Sequence, residues 1–404
     1  MISHLEARAK VIEVARGLHR APASEELALA EAGGRVLAAT VAADRDYPPF
    51  HRAARDGFAL RAADAAAPGA TLTLIGEIKA GDDFPGSVGP GQCVQIMTGA
   101  AVPPGADAVV MVEHTQQNAS RVTLDRAVSP GQNFVPCGSE SRAGQTLLAL
   151  GARLGYAELA LAAQAGAVRL RVTRRPRIAI LSTGDEVVEL GHQPGPFQIR
   201  NSNSVSLAEQ SRLAGAEPVP LGNAPDHEGE LQRLIERGLA EDILALSGGV
   251  SVGRYDLVEL VLRRLGAEFF FDAIAIRPGR PAVFGLCRGK PVFGLPGNPV
   301  STMVTFELLA VPAIDILSGT QPRGLPLFRA RLAAPVRQKS ALTHFLPARV
   351  SWEHGQPEVQ ELPWQGSGDI VALAGANCFL IVPMDHLEMS AGEWVDVLPR
   401  RGMI

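Results

Sequence analysis

Residues 173–185, TRRPRIAILSTGD, decide the fold class of the central part of the chain. The basic segment TRRP is typical of a connector between domains, and the apolar run RIAILS that follows it is typical of a buried strand. Strand-like segments then alternate with helix-like ones as far as residue 317; the strands are PVPLG, DILALSGG, EFFF and KPVFGLP, and the first helix is SNSVSLAEQSRLAG. This alternation predicts a doubly wound parallel sheet with helices on both faces.

The sequence on either side of this α/β segment has a different pattern. Between residues 46 and 142, short alternating runs such as TLTLIGEI and DAVVMVEH are separated by Gly-Pro turns, which predicts a small β domain. Helical spacing of apolar residues predicts helices at 4–18, 26–32 and 149–167. Short strands with turns return between 327 and 404 and predict a second β domain.

Composition and charge limit the classes of partner, the kinds of site and the cellular location expected for the protein. A net charge of −4 offers no sequence-wide attraction for nucleic acid or an anionic membrane. No uninterrupted apolar run approaches the roughly 18 residues of a membrane span, and the opening MISHLEARAK lacks the layout of a signal peptide. The four cysteines are far apart and form no CxxC pair, so we expect neither a zinc site nor a disulfide framework. A cytoplasmic protein is the expectation.

Two glycine-rich loops follow predicted strands, at the sheet edge where doubly wound folds bind ligands. SGGVSVG at 247–253 contains Gly248, Gly249, Ser251 and Gly253. Its glycines bring backbone N–H groups close to a ligand, and the next helix would direct its positive end to the same place, which predicts a phosphate or another anion. The alternative is a tight strand-to-helix loop that needs glycine only for its backbone angles.

The second loop, GLPGNPVST at 294–302, has similar features. Gly297 after Pro296 bends the chain, Asn298 can cap a helix, and Ser301 or Thr302 can donate near the first turn. The alternative is a capped helix start. Between the two loops, IRPGRP at 276–281 places two arginines around a Pro-Gly turn, which suits a bidentate grip on an oxyanion, although a solvated surface pair is the common fate of such residues. These arginines are Arg277 and Arg280.

The TGDE segment at 183–186 has two interpretations. Thr183 and Glu186 fit a capping box, but the glycines and prolines at 191–196 leave room for little more than one helical turn. In the other interpretation, Asp185 and Glu186 offer hard oxygen ligands to Mg²⁺. Asp226 and Asp256 follow other segments of the predicted sheet and could face the same crevice. The four carboxylates would need a cation or raised pKa values if they lie beside phosphate loops.

The first β domain contributes two further candidates. Asp56 precedes Gly57 in YPPFHRAARDGFAL, and Thr98 precedes Gly99 in IMTGAAVPPGAD. Taken alone, each pair is explained most simply as a turn.

Taken together, these segments resemble the molybdopterin molybdenumtransferase family, the MoeA proteins and the E domain of gephyrin. The matching segments appear in family order and are YPPFHRAARDGFAL, IMTGAAVPPGADAVVMVE, ILSTGDEVV, IRNSNSVSL, LSGGVSVGRYD, IRPGRPAVFG, GLPGNPVS and GEWVDVLP. The resemblance implies an α/β multidomain homodimer with a central doubly wound, molybdopterin-binding domain. The implied domains are a helical linker domain (1–45 plus 143–172), a β domain (46–142), the α/β domain (173–320) and a C-terminal β domain (327–404).

The resemblance also implies a reaction, in which adenylylated molybdopterin and molybdate give molybdenum cofactor and AMP with the help of Mg²⁺. In the family, the site lies between the α/β domain of one subunit and the β domain of the other. The implied catalytic residues are Glu186, Asp56 and Thr98, and the implied metal ligands are Glu186, Asp226 and Asp256. The implied substrate-binding residues are Gly248, Gly249, Ser251, Gly253, Arg277, Arg280, Pro296, Gly297, Asn298, Ser301 and Ser367 of the WQGSGD segment. Client molybdoenzymes and other cofactor-synthesis proteins are the implied partners, with no nucleic acid and no membrane.

Several segments depart from the family pattern. HRAARDGFA at 51–59 keeps the acid Asp56 in a more basic setting than the usual DNSAMDGYA. Arg277 and Arg280 stand where the family has two lysines, and Asn201 stands where it has an aspartate. Two other functions therefore remain open from the sequence: a protein that binds or delivers the finished cofactor without inserting metal, and a paralogue that prefers tungstate.

Overall fold

The computed structural model of the chain describes residues 1–18, 22–249, 257–353 and 355–403. It divides into two compact units. The first unit comprises Met1–Glu26, Gly34–Ala38 and Arg171–Ile404, and the second comprises Leu27–Gly33 and Ala39–Leu170.

A six-stranded sheet forms the centre of the first unit. In spatial order its strands are Glu217–Ala224, Arg177–Thr183, Ile243–Ser247, Lys290–Leu295, Val283–Cys287 and Glu268–Phe271. The first four run parallel to one another, as predicted, whereas the last two pair antiparallel. The strand Val283–Cys287 was not predicted. It forms a hairpin with Lys290–Leu295 because Arg288 and Gly289 both have positive φ, 52° and 73°, which suits a tight two-residue turn.

Helices cover both faces of this sheet, as the sequence predicts. In the strand Arg177–Thr183, Ile178 and Ile180 point to one face and Ala179 and Leu181 to the other, because side chains alternate along a strand. The helices on the first face are His4–Gly17, Ser202–Ala214 and the long helix that begins at Pro299. Those on the second face are Glu228–Gly238 and Leu257–Arg264.

The long helix on the first face runs from Pro299 to Leu317 and consists of Pro299–Thr305, a π-helical turn Phe306–Ala310 and Val311–Leu317. By length and composition it could cross a membrane, but 83% of its most apolar window is buried inside the protein. It packs against Ser202–Ala214 and the N-terminal helix. Its apolar character on all sides therefore has a packing explanation, as in the core helix of a globular protein.

Three helices had been predicted before the α/β segment, and the structure bears out one of them fully. The helix His4–Gly17 begins with a capping box, in which Ser3 Oγ accepts from Glu6 N at 3.2 Å and Glu6 Oε2 accepts from Ser3 N at 2.8 Å. The predicted helix at 149–167 is shorter, Tyr156–Gln164, and follows the strand Thr146–Leu148. Gly166, two residues after the helix, has φ of 78°, a left-handed conformation that ends helical geometry. Gly151, with φ of 82°, interrupts the predicted range before the helix begins.

The helix predicted at 26–32 is wrong. The structure has the strand Ser24–Ala28 and a short 3₁₀ turn, Leu29–Glu31, in its place. Seven residues form too few hydrogen bonds to offset helix nucleation, and Leu29 N instead donates to Val168 O at 3.0 Å. A favourable spacing of alanine and leucine was therefore not sufficient.

The C-terminal part of the first unit is a small barrel, which confirms the second predicted β domain. Its sheet contains, in spatial order, Ile276–Arg277, Thr343–Ser351, Glu358–Glu361, Phe328–Leu332, Trp394–Pro399 and Cys378–Val382. Cys378–Val382 also pairs with Thr343–Ser351, so the last five strands close on themselves around an apolar core. The other elements of this part are Val336–Arg337 paired with Glu388–Met389 and the helix Ile370–Gly375.

The second unit contains the predicted small β domain. Its six-stranded sheet has the spatial order Ala108–Met111, Gly57–Leu60, Gln92–Ile96, Thr71–Ile78, Arg121–Leu124 and Thr115–Asn118. Both faces are buried, one around Phe58 and Leu60 and the other around Ala59 and Val94. Its remaining short elements are Val41–Ala42 paired with Thr146–Leu148, Arg52–Ala53 paired with Phe134–Val135, and the 3₁₀ turns Ala62–Ala65 and Val112–His114.

Candidate active site

A cleft of about 1300 Å³ lies in the first unit, where the parallel strands of the central sheet end. Turns that follow four strands, the turn at 277–281 and the C-terminal barrel form its walls. The predicted site residues that line it are Glu186, Asp226, Gly248, Gly249, Arg277, Arg280, Pro296, Gly297, Asn298, Ser301 and Ser367. The predicted convergence of these segments on one crevice is therefore observed. Ser251, Gly253 and Asp256 lie outside the described residues.

In the glycine loop after Ile243–Ser247, positions 248 and 249 accept only glycine. Gly248 has φ of 91° and Gly249 has φ of 64°, a region that residues with a side chain rarely adopt. A Cβ on Gly248 would lie 2.8 Å from Thr183 O, and one on Gly249 would lie 2.6 Å from Val258 Cγ2. Backbone geometry alone thus requires these glycines, which line the cleft without a side chain, and Gly248 N donates to Leu295 O at 3.1 Å.

The PGN loop after Lys290–Leu295 differs from its predicted capping arrangement. Asn298 occupies the N-cap position, but its side chain makes no capping hydrogen bond and Nδ2 instead donates to Ser367 Oγ at 2.8 Å. Thr302 Oγ1 donates back to Asn298 O at 3.0 Å, so it does not point a donor into the cleft. Val300 N also donates to Ser367 O at 3.0 Å. These bonds attach the loop around Ser367, which belongs to the C-terminal part, to the start of the long helix.

The arginine turn projects two guanidinium groups into the cleft. Arg277 ends the short strand Ile276–Arg277, which pairs with Thr343–Ser351, and Arg280 follows three residues later. Gly279 between them has φ of 108°, and a Cβ there would lie 2.7 Å from Thr305 Cγ2. Within the described part of the chain, no carboxylate forms an ion pair with either arginine. Their charge is therefore available to a ligand.

The TGDE segment forms a turn, and the capping-box interpretation is wrong. No helix follows Thr183; the next element is the two-residue strand Val187–Val188, paired with Ile199–Arg200. Thr183 Oγ1 is buried and has no hydrogen-bond partner among the described residues. Asp185 Oδ1 accepts from Asp226 N at 3.0 Å, which ties together the turns after two adjacent strands. Asp185 thus shapes the turn, whereas the Glu186 side chain lies over Gly184 and lines the cleft.

Two buried asparagines at the start of Ser202–Ala214 hold the cleft together. Asn201 Oδ1 accepts from Ser182 Oγ at 2.8 Å and from Ser204 N at 3.1 Å, so it caps the helix. Asn203 Nδ2 donates to Ser247 Oγ at 2.6 Å and to Gly297 O at 2.7 Å. Asn203 therefore connects the ends of two strands. Asn201 Nδ2 and Asn203 Oδ1 have no hydrogen-bond partner among the described residues, and both side chains line the cleft.

Asp56 and Thr98 lie in the second unit and do not line this cleft. They contact each other: Asp56 Oδ1 accepts from Thr98 Oγ1 and from Thr98 N, both at 2.6 Å. These bonds from the hydroxyl and the amide lower the pKa of the exposed Asp56 carboxyl. The pair therefore presents an ionised carboxylate at the surface of the small β domain.

Models of known families match three parts of the chain. The description "MoeA N-terminal region (domain I and II)" applies to residues 2–166, "Probable molybdopterin binding domain" to 179–315 and "MoeA C-terminal region (domain IV)" to 329–399. A protein of Haemophilus influenzae named molybdopterin molybdenumtransferase is 34% identical over 405 residues, which cover 99% of this chain and 98% of its own. The chain belongs to the MoeA family of molybdopterin molybdenumtransferases.

Other members of the MoeA family agree with this placement. A molybdopterin molybdenumtransferase of Bacillus subtilis is 34% identical and covers 93% of this chain and 89% of its own length. The crystal structure of a molybdopterin biosynthesis moeA protein from Pyrococcus horikoshii has a TM-score of 0.82 at 28% identity, with 99% of this chain and 100% of that chain covered. The resemblance and the multidomain α/β fold inferred from the sequence are thereby confirmed.

The MoeA-family cleft also contains residues that the sequence analysis did not single out. The C-terminal barrel and the loops beside it contribute several of them, among them Arg337, Lys339, His344, Glu361 and Trp364. Only the nearby WQGSGD segment with Ser367 indicated that this part of the chain reaches the site. Side chains alternate between the two faces of a strand, and this alternation in Glu358–Glu361 places the Glu361 carboxylate at an inward-facing position. That unusual position is the signal in the sequence that could have identified Glu361.

Proposed function

We propose that this protein is a molybdopterin molybdenumtransferase that joins molybdenum from molybdate to adenylylated molybdopterin and releases AMP. One phosphoanhydride bond is broken by addition of the elements of water, which gives AMP and the phosphate monoester, and the two dithiolene sulfurs replace oxo ligands of molybdenum, which leave as water. The observation that carries the proposal is one cleft that, in a chain of this family, gathers glycine loops, two arginines and the carboxylates Glu186 and Asp226 that follow strands of the sheet.

In this proposal, the substrate's phosphates lie against the glycine loops and the arginine turn. Arg277 and Arg280 offer planar, always-charged donors, and Gly248 and Gly249 place no side chain between their backbone and the cleft that they line. Ser301 and Ser367 add hydroxyl groups on the same wall, and the bond from Asn298 fixes Ser367 in place. Orientation of both anions in one fixed geometry supplies the entropic part of catalysis.

The carboxylates of the cleft are proposed to hold Mg²⁺. No cluster of three His, Cys, Asp or Glu side chains able to hold a metal occurs among the described residues, so a cage made by the protein alone is not expected there. Glu186 and Asp226 both line the cleft. Mg²⁺ is usually held by one or two carboxylates together with substrate phosphates and water, and this donor set fits that pattern. When bound, the ion would neutralise phosphate charge and polarise phosphoryl oxygens.

Asp56 and Thr98, which belong to the small β domain, are proposed to act at the α/β-domain cleft of a second subunit. The family resemblance assigns them to the reacting centre and implies a homodimer, and their mutual hydrogen bonds keep the Asp56 carboxylate ionised and oriented. A cytoplasmic location and delivery of the product to client molybdoenzymes belong to the same proposal. Molybdate is the proposed oxyanion, and tungstate is its competitor in the assay.

The test supplies purified protein with adenylylated molybdopterin, Mg²⁺ and either molybdate or tungstate. AMP is quantified by chromatography, and finished cofactor is quantified by reconstitution of a molybdenum-free molybdoenzyme. We expect AMP and active cofactor from molybdate. Tight pterin binding without AMP release would refute the enzyme and favour the delivery protein.

Glu186→Gln provides the residue-level test. The substitution keeps the size of the side chain and removes a charge from the cleft, so we expect AMP release to fall by a factor on the order of 10² or more while pterin binding persists. Glu189→Gln is the matched control, because Glu189 is exposed, lies three residues away and does not line the cleft. Equal activity of the two variants would remove Glu186 from the proposed machinery.

A further inference from the structure

Glu361 occupies a position of the C-terminal barrel where the fold calls for an apolar side chain. It ends the strand Glu358–Glu361, and Val359, two residues earlier on the same face, is completely buried in the barrel core. Burial raises the pKa of the Glu361 carboxyl, and a hydrogen bond from Trp364 offsets part of that rise. Within the described part of the chain, no basic side chain forms an ion pair with it. Apart from the contact with Trp364, this half-buried carboxyl has no side-chain partner among the described residues, and Glu361 lines the cleft.

Strand register fixes how far Glu361 lies from the arginine turn. Glu361 is opposite Ala348 of the strand Thr343–Ser351, and Arg277 is opposite His344 of that same strand. Four residues of extended strand correspond to about 13 Å. Leu346, which lies between these two partners, also lines the cleft. The acid and the arginine turn therefore face one continuous space from positions four residues apart along the same strand.

The chemistry of the proposed substrate matches this separation. A pterin ring presents two adjacent donors, the N3–H and the 2-amino group, on the edge opposite the side chain that carries the phosphate. A carboxylate can accept from both donors at once, as it does from a guanidinium group. Trp364 lies partly exposed beside Glu361 and offers a flat apolar surface to the ring. We infer that Glu361 binds the N3–H and 2-amino edge of the pterin, with Trp364 against the ring, while Arg277 and Arg280 hold the phosphate end.

This inference rests on the proposed function for the identity of the substrate, but its test does not depend on metal insertion. The probes are 6-hydroxymethylpterin phosphate and the corresponding lumazine phosphate, in which a carbonyl replaces the 2-amino group. Binding of each is followed by the fluorescence of the ring. We expect the wild-type protein to prefer the pterin by a factor on the order of 10 or more, because the lumazine presents an acceptor to the carboxylate. Glu361→Gln should lose most of this preference, because an amide has only one acceptor atom.

The matched control is Glu358→Gln, which removes the same charge from the exposed start of the same strand. It should discriminate between the probes as the wild-type protein does. Glu361→Asp keeps the carboxylate and should retain part of the preference, and thermal unfolding checks that every variant is folded. A wild-type protein that binds both probes equally overturns the inference, and so does an undiminished preference in Glu361→Gln.

The AMP-release assay separates this inference from the proposed function. If the wild-type protein prefers the pterin through Glu361 but releases no AMP, the pterin-edge assignment stands and the enzyme proposal fails. If it releases AMP while Glu361→Gln still discriminates normally, the enzyme stands and the assignment fails.

Discussion

Replacement of Asn203 tests whether one buried amide keeps the cleft in shape. Its Nδ2 donates to Ser247 Oγ at 2.6 Å and to Gly297 O at 2.7 Å, and only 9% of the residue is exposed. Two hydrogen bonds at about 1 kcal/mol each predict that Asn203→Ala lowers the free energy of unfolding by about 2 kcal/mol. Because Gly297 belongs to the PGN loop, its release should also weaken binding of 6-hydroxymethylpterin phosphate, on the order of tenfold.

The control is Asn377→Ala. Asn377 also makes two side-chain hydrogen bonds, donating to Val350 O and accepting from Val350 N, both at 2.9 Å, and it does not line the cleft. Both asparagines belong to the first unit, so urea denaturation should report a similar loss of stability for each. Only Asn203→Ala should weaken ligand binding. Wild-type stability of Asn203→Ala, or an equal loss of affinity in both variants, would refute the reasoning.

Two further substitutions test charged groups. Asp315 is fully buried and forms an ion pair with Arg323 at 2.7 Å. Because Asp315→Asn leaves the arginine without its charge partner, we expect urea denaturation to show an unfolding free energy lower by about 3 kcal/mol. A loss below about 1 kcal/mol would contradict this expectation. Thr98→Val removes the hydroxyl that contributes most to the lowered pKa of Asp56, so NMR titration should find that pKa closer to its ordinary value. A carboxylate with a lowered pKa stabilises the fold above its ordinary pKa and loses that contribution as the pH falls through the lowered value. The variant should therefore lose less unfolding free energy on acidification. An unchanged pKa of Asp56 would exclude the hydroxyl as the cause.

The sheet was predictable from the sequence where a single strand carries its own signal. RIAILS and DILALS are apolar between their polar first and last residues because both faces of a central parallel strand are covered by helices, and each contacts helices on two sides in the structure. The strand Val283–Cys287 escapes prediction because it begins within the IRPGRPAVFG segment, whose Pro-Gly pair and arginines indicate a turn. The strand becomes evident only together with Lys290–Leu295, because the positive-φ turn at 288–289 joins the two into a hairpin.

The site was predictable in its loops and less so in its contacts. The residue types of Gly248, Gly249 and Glu186 indicate a site, and all three line one cleft, whereas Asp185 shapes the turn. Which partner a polar side chain chooses is decided by residues far away in sequence. Asn298 has the right position to cap its helix, yet it bonds to Ser367, 69 residues away. Short-range sequence rules identify the helix-capping position correctly, but they do not show that a partner distant in sequence takes the hydrogen bond instead.

The order of the strands explains why carboxylates and glycine loops can share this cleft. Asp226 and Glu186 follow the first two strands in spatial order, and Gly248 and Gly297 follow the next two. With neighbouring strands about 4.8 Å apart, the first and fourth strands are separated by about 14 Å, which divides the cleft into an acidic side and a side rich in glycine loops. A substrate phosphate can lie on the glycine side without direct contact with the acids, whereas a second anion on the acidic side would be repelled unless a cation lies between. This geometry explains why Mg²⁺ would be needed: a cation bound by the carboxylates would allow a second anion to occupy the acidic side of the cleft.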